Sequence, residues 1–563
     1  MMARRQPGES PDQRPATLRL TWVQPEDLIG HELRQAAEDG RDASAVEDRW
    51  RAAGGHPAPD RAGASARPAD PHLRALAVQL MDELAALPSP LADDEPTDLP
   101  AIKAACPAWP SLPAPSPTPG HQSLPGSPPA PGPQPAPGPS PTPGHQSQPG
   151  SPSAPGFQSP SAPALQPAPA SQPTPDPQPA PHSAPGPLAA LGPHPSPESL
   201  RPRLEAAWLG RAAGCLLGKP VETLPLAGIR ALARATGNWP LRDWFTEVGL
   251  DPATAARYPW HGHSRATSLA ETIDGMPEDD DLDLPVLGLL LLQRYGHGFR
   301  TTDVARLWLD ELPAGRTFTA ERVAYRNLLD GIEPPHTATH RNPFREWIGA
   351  QIRADVFGWT RPGDPAGAAE AAWRDATLTH TANGVYGEMF AAATIAAAAG
   401  GRTDVHGCLR AGLAVVPERS RLARAVRFGI EAARAEPTGS DAGFADVVDR
   451  LHRAYGHLHW VHVVPNAALL AAALTHADGA FPGSVCRVVS GGWDTDSNGA
   501  TAGSVAGLLA GAPGALPAQW TAPLRNRLTT TVSDLNGIGF DVLAERTAEL
   551  AVSRTATARP EDT

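Results

Sequence analysis

Thirty-three of the 67 prolines in this 563-residue chain fall in the 94 residues from Ala104 to Pro197. That stretch carries one charged side chain, Asp176. Proline fixes φ and removes a backbone donor, so neither a helix interior nor a sheet ladder runs through such a segment. Too little apolar surface is present to offset the entropy of ordering, and the expectation is a disordered spacer. Ser116-Pro-Thr-Pro-Gly-His-Gln-Ser123 recurs as Ser140-Pro-Thr-Pro-Gly-His-Gln-Ser147. These repeats have almost nothing to bury, which argues against a solenoid and for an extended, polyproline-like tether. A single-domain reading of the whole chain is excluded on this ground. The expected division is a small helical module at 1–97, a Pro/Gly/Ser-rich linker at 98–198, a large domain at 199–552 and a disordered tail at 553–563.

A net charge of −13 argues against a direct nucleic-acid patch, which requires a basic surface. Cys106, Cys215, Cys408 and Cys486 form neither a CxxC pair nor a disulfide framework. No apolar h-region follows the first residues, and the longest apolar run, Leu284 to Leu292, is far below the ~18 residues of a membrane span. A soluble, reducing, cytoplasmic setting without membrane contact is the expectation.

Helical spacing appears on both sides of the spacer. Glu26 to Ala36 and His72 to Leu87 carry it in the first module, with Leu73, Leu76, Leu80 and Leu84 on one face. That module is short of core by itself and shows no chemistry. Beyond Ser199, Leu204, Trp208, Ala212, Cys215 and Leu216 share a face, as do Leu422, Val426 and Ile430. Glu388 to Ala399 reads as an Ala-rich helix ended by Gly400 and Gly401, and Pro465 opens another, Asn466 to Leu474. Period-two alternation is nearly absent, so 199–552 reads as all-α, packed closely through Ala and Gly.

Two acidic clusters carry the chemistry. Glu278-Asp279-Asp280-Asp281 precedes a helical apolar run, and Asp494-Thr-Asp496-Ser-Asn498-Gly499 precedes a run of small residues. A helix N-terminus favours negative charge, but one Asp or Ser suffices as a cap. Three consecutive aspartates exceed that need and repel one another. Convergence of the clusters would call for cations, and all-oxygen donors suit Mg²⁺, Mn²⁺ or Ca²⁺. An EF-hand is excluded because Val505 stands where its bidentate Glu belongs. His457-x-His459-x-x-His462 and His261-x-His263 have zinc-like spacing but no Cys or carboxylate placed to complete a tetrahedral set.

Gly210-Arg-Ala-Ala-Gly214-Cys-Leu-Leu-Gly218-Lys-Pro-Val-Glu222 resembles the opening motif of the ADP-ribosylglycohydrolase family. Asp279-Asp280-Asp281, Leu378-Thr379-His380-Thr381 with Gly384, Gly491 through Gly503, and Gly539-Phe540 to Arg546-Thr547 resemble its later motifs in order. The resemblance spans about 200–552 and leaves the N-terminal third uncovered. It implies an all-α fold with two Mg²⁺ (or Mn²⁺) ions at the bottom of an ADP-ribose cleft. The metal ligands implied are Asp279, Asp280, Asp281, Asp494, Asp496 and Ser497. Glu222 matches a glutamate that approaches the metal, and His380 a histidine near the distal ribose. Asp279 departs from the family's threonine, and this extra carboxylate is expected to tighten cation binding.

The resemblance implies an N- or O-glycosyl hydrolase that removes ADP-ribose from a protein side chain, a nucleic-acid base or a small molecule. Its catalytic domain is expected to be monomeric. Glu222, Asp281 and Asp496 are the candidate catalytic carboxylates. Thr381 and Asn383 are candidate ligand hydrogen-bonders alongside His380, with core or cap roles competing. Arg345 and Arg353 offer pyrophosphate partners, against a structural reading; Trp493 reads as packing, and Tyr386 and Phe357 as open stacking candidates. The alternative is a non-catalytic ADP-ribose-binding module tethered to a protein partner. Residues 1–197 hold no such carboxylate pair and are expected to be dispensable for the chemistry.

Overall fold

The computed structural model describes residues 24–58, 62, 65, 69–110, 197–262 and 264–557. Most of the expected spacer, 111–196, and the end of the expected tail, 558–563, lie outside the described residues, as does His263. The architecture is all-α, and only isolated β-bridges occur among the described residues. No helix among them is long and apolar enough to cross a membrane.

Among the described residues, four helices precede the proline-dense segment: α1 (Pro25–Glu38), α2 (Ser44–Ala52), α3 (Pro71–Ala85) and α4 (Leu99–Ala104). Proline opens α1 and α3 in the first turn, where its missing N–H is harmless. Asp70 and Asp98 cap α3 and α4 by accepting from His72 N and Ala101 N. Residues 98–110 were expected in the linker, yet they carry α4 and bury Ile102 and Cys106. Apolar residues at helical spacing outweigh proline there, and proline dominates only after Pro110. At the other end, helix runs to Thr557, past the boundary expected at 552.

The described residues on either side of the spacer form one compact unit. The first module is short of core and completes itself against the large domain through matched polar groups. Arg345 pairs with Glu32 and Asp39, each at 2.9 Å, and Arg421 pairs with Glu95 at 2.7 Å. The Trp373 indole donates to Thr97 O at 2.8 Å. The separation expected at residue 97 is thus bridged by tertiary contacts that sequence spacing does not encode.

The large domain contains α5 (Pro197–Gly218), α6 (Asp280–Tyr295), α7 (Ala382–Gly400), α8 (Arg421–Arg434), α9 (Val463–His476), α10 (Thr495–Ala510) and α11 (Phe540–Thr557), with shorter helices between. α7 and α9 are buried along nearly their whole length, while α8 buries one face. α10 crosses α5 at backbone contact. A Cβ on Gly214 would sit 1.9 Å from Gly499 O, and one on Gly503 2.0 Å from Gly210 O. No side chain fits that seam, which explains the glycines four apart on both helices. The crossing sets the end of α5 beside the start of α10, where Thr495 Oγ1 donates to Gly218 O at 2.9 Å.

Candidate active site

Both acidic segments, far apart in sequence, line one cavity of about 380 Å³. Asp279, Asp280, Asp281, Asp494, Asp496, Ser497 and Glu222 all reach it. Asp279 is the N-cap of α6: its Oδ1 accepts from Asp281 N at 2.9 Å, and its Oδ2 pairs with Lys219 Nζ. Both oxygens of this aspartate, which stands where the resemblance implies a threonine, are therefore engaged within the protein. The expected extra pull on a cation is offset by the Lys219 ammonium, which its carboxylate neighbours keep charged against burial.

Arg211 supports Asp281 from behind. Its fully buried guanidinium donates to Asp281 O at 2.8 Å, to Ile352 O at 2.7 Å and to Asp355 Oδ2 at 2.7 Å. Asp281 Oδ1 stays 3.7 Å from that guanidinium and accepts no hydrogen bond. Asp494 caps no amide with its side chain, although it is the N-cap of α10. Gly492 and Trp493 precede it at φ 80° and 57°, left-handed backbone that turns the chain into the helix. The Asp494 N–H donates to Asn466 Oδ1 at 3.1 Å, which ties this turn to α9.

Burial and mutual repulsion raise the pKa of four of these carboxyl groups. Burial, then repulsion from Asp279 and Asp496, holds Asp281 well above the usual carboxylate range. Asp280 is raised by burial and by Asp279, and Asp494 by burial and by Asp496. Glu222 is raised by burial, Asp496 and Asp279, and its Oε2 lies 2.8 Å from His261 Nδ1. Excess buried negative charge with an unused oxygen on Asp281 fits a divalent cation, and the donors are oxygens. Cys215 offers a sulfur within 4.8 Å of ligand atoms on Asp279 and Asp281. Burial and those two aspartates push the pKa of this thiol up.

His380, Thr381 and Asn383 do not line this cavity. His380 is fully buried, its Nδ1 2.6 Å from Thr379 Oγ1. Asn383 donates to Glu346 Oε1 and accepts from Leu422 N, both at 2.9 Å. Thr381 borders a separate cavity of about 250 Å³ beneath the first module, with Arg345 and Arg421. Neither Arg345 nor Arg353 reaches the acidic cavity, and Arg353 is buried against Asp375 and Glu321. Trp493 stacks on His452 at 3.9 Å, Phe357 on Phe299 at 5.5 Å, and the Tyr386 hydroxyl donates to Pro96 O.

Several cavity residues escaped sequence reasoning. Lys219, one of the two lysines in the chain, sits inside the first motif. Phe318 and Glu321 lie on a segment with no local signal, while Trp347 and Trp460 lie between residues singled out for other reasons. Asp283, adjacent to the first cluster, instead accepts from Thr531 N at 3.2 Å.

Residues 196–556 match the family profile described as ADP-ribosylglycohydrolase. One similar solved structure, an ADP-ribosylglycohydrolase-related protein complex, is 21% identical and covers 64% of this chain and 100% of its own, with a TM-score of 0.39. Among curated proteins, none matches.

Proposed function

Since this chain belongs to the ADP-ribosylglycohydrolase family, we propose that it is a metal-dependent hydrolase cleaving the glycosidic bond between ADP-ribose and an acceptor. The observation that carries the reading is the convergence of eight carboxylates on one cavity with an Asp281 oxygen that accepts no hydrogen bond. Asp279, Asp280, Asp281, Asp494, Asp496 and Ser497 would hold two divalent cations, Mg²⁺ or Mn²⁺. When bound, such ions polarise sugar hydroxyls and lower the pKa of a bound water.

The protein's own groups do the rest. Departure of the acceptor builds positive charge at the anomeric carbon, and the surrounding carboxylates stabilise it. Glu222, raised in pKa and held by His261, is suited to carry a proton between water and acceptor. Asp281 and Asp496 remain the other carboxylates able to accept that proton. Lys219 and Arg211 fix Asp279 and Asp281, so that the charge array is set before substrate arrives. Trp347, Ile348 and Val461 supply an apolar stretch of wall that keeps bulk water from the reacting bond.

The test is a panel of ADP-ribosylated acceptors (arginine, serine, nucleic-acid base, small metabolite) incubated with Mg²⁺ or Mn²⁺. Release of free ADP-ribose from at least one, abolished by EDTA, is the expected result. No release from any acceptor with either ion would refute the reading.

A further inference from the structure

The family match begins at residue 196, yet part of the cavity wall rests on residues before it. The less acidic wall is made by two segments, around Trp347 and around His459. They are joined by Ile348 N donating to Val461 O at 2.9 Å and Val463 N donating to Glu346 O at 3.1 Å. The Trp347 indole lies flat on the His459 ring, 4.3 Å apart and 10° from parallel.

α1 packs behind both segments. The His31 ring meets Phe344 at 5.1 Å and Trp347 at 5.9 Å, edge-on. Gln35 Nε2 donates to Glu346 Oε2 at 2.8 Å, one residue before Trp347. The Glu38 carboxylate lies 3.7 Å from His462 Nε2, at the start of α9. Burial, then Arg34, pushes the His31 pKa down to about 3, so the ring is a neutral wedge at physiological pH. Ala62, from the same N-terminal region, borders the cavity directly.

We propose that α1, through His31, Gln35 and Glu38, is a positioning element that holds these two wall segments at the spacing the substrate requires. The region before the family match is then part of the catalytic unit, which reverses the expectation that residues 1–197 are dispensable. None of these three side chains lines the cavity, so each acts through Trp347, Glu346 or His462. The proposal rests on the hydrolase reading for its kinetic consequence, but its structural consequence is independent of it.

The experiment uses the full chain with His31→Ala, Gln35→Leu and the conservative His31→Phe. Without substrate, hydrogen exchange at the Ile348 and Val463 amides should speed up about tenfold in His31→Ala and Gln35→Leu. The Asp281 amide, bound to Asp279 Oδ1, should stay at wild-type protection in both. His31→Phe should restore the wall. On an acceptor that the enzyme hydrolyses, KM should rise about tenfold while kcat stays within about twofold. Wild-type exchange at both wall amides in His31→Ala and Gln35→Leu overturns the proposal, as does a fall in kcat with KM unchanged. If no acceptor is hydrolysed, the function reading fails while the exchange result still decides the positioning role. Should His31→Ala not fold, Gln35→Leu, which removes a polar contact while retaining side-chain bulk, decides the positioning role by itself.

Discussion

Two buried charge clusters, one at the module interface and one in the cavity, handle the same physics in opposite ways. Beneath the first module, Glu32, Asp39, Glu95 and Glu346 face Arg41, Arg345 and Arg421 at hydrogen-bonding distance. Glu346 is fully buried, but Arg421 and His462 outweigh burial and hold it well below the usual carboxylate range. In the cavity, burial and then the neighbouring Asp279 and Asp496 hold the equally buried Asp281 well above that range. Lys219 and Arg211 compensate only part of that charge. The balanced cluster is mortar between module and domain. The unbalanced one stores repulsion that a bound cation would relieve.

The largest test of this contrast is to delete from the unbalanced side. Asp496→Ala should lower turnover about a thousandfold or more, by loss of a proposed metal position. It should also raise the melting temperature in EDTA, since one source of repulsion is gone. Steady-state kinetics and thermal melts read both, and a lower melting temperature in EDTA would break the comparison.

The balanced side should behave in reverse. Arg421→Ala leaves Glu95 and Glu346 buried without their guanidinium and should destabilise the fold by about 3–5 kcal/mol in urea titrations. A loss under about 1 kcal/mol would show that this cluster is not needed to hold the module on.

The third effect is the pH dependence of the cavity. Glu222, Asp280, Asp281 and Asp494 have folded pKa values above their unfolded ones. Between those values the native state binds more protons than the unfolded state, so stability falls as pH rises. The metal-free protein should therefore lose stability from the ordinary carboxylate range upward, where saturating Mg²⁺ protects it. Melts in EDTA and in millimolar Mg²⁺ should diverge as pH increases from about 5 to 8. Parallel curves would remove the stored repulsion from the account.

The smallest effect is that of the one ammonium in the cavity. Lys219→Met leaves Asp279 unpaired and should lower stability in EDTA by about 1–2 kcal/mol, less with Mg²⁺ present. Adding Asp279→Thr to it should recover most of that loss, because a threonine hydroxyl can still cap α6 at Asp281 N. Failure of the double variant to recover would separate the capping and pairing roles.

The sequence alone determined the helical class and the acidic segments, because each is a local signal of periodicity or like charge. The glycines of α5 and α10 were legible as close packing, though not as the seam that places Lys219 beside Asp496. Matching by motif placed His380, Thr381 and Asn383 with the substrate, whereas Asn383 bonds Glu346, Thr381 borders the cavity under the module and His380 is buried beside Thr379. Only tertiary structure decided which carboxylates share a cavity, that Lys219 neutralises Asp279, and that α1 backs the wall at Trp347. Those relations join residues distant in sequence, and their energies depend on burial and on the sign of the facing charge. Neither quantity exists until the chain has folded.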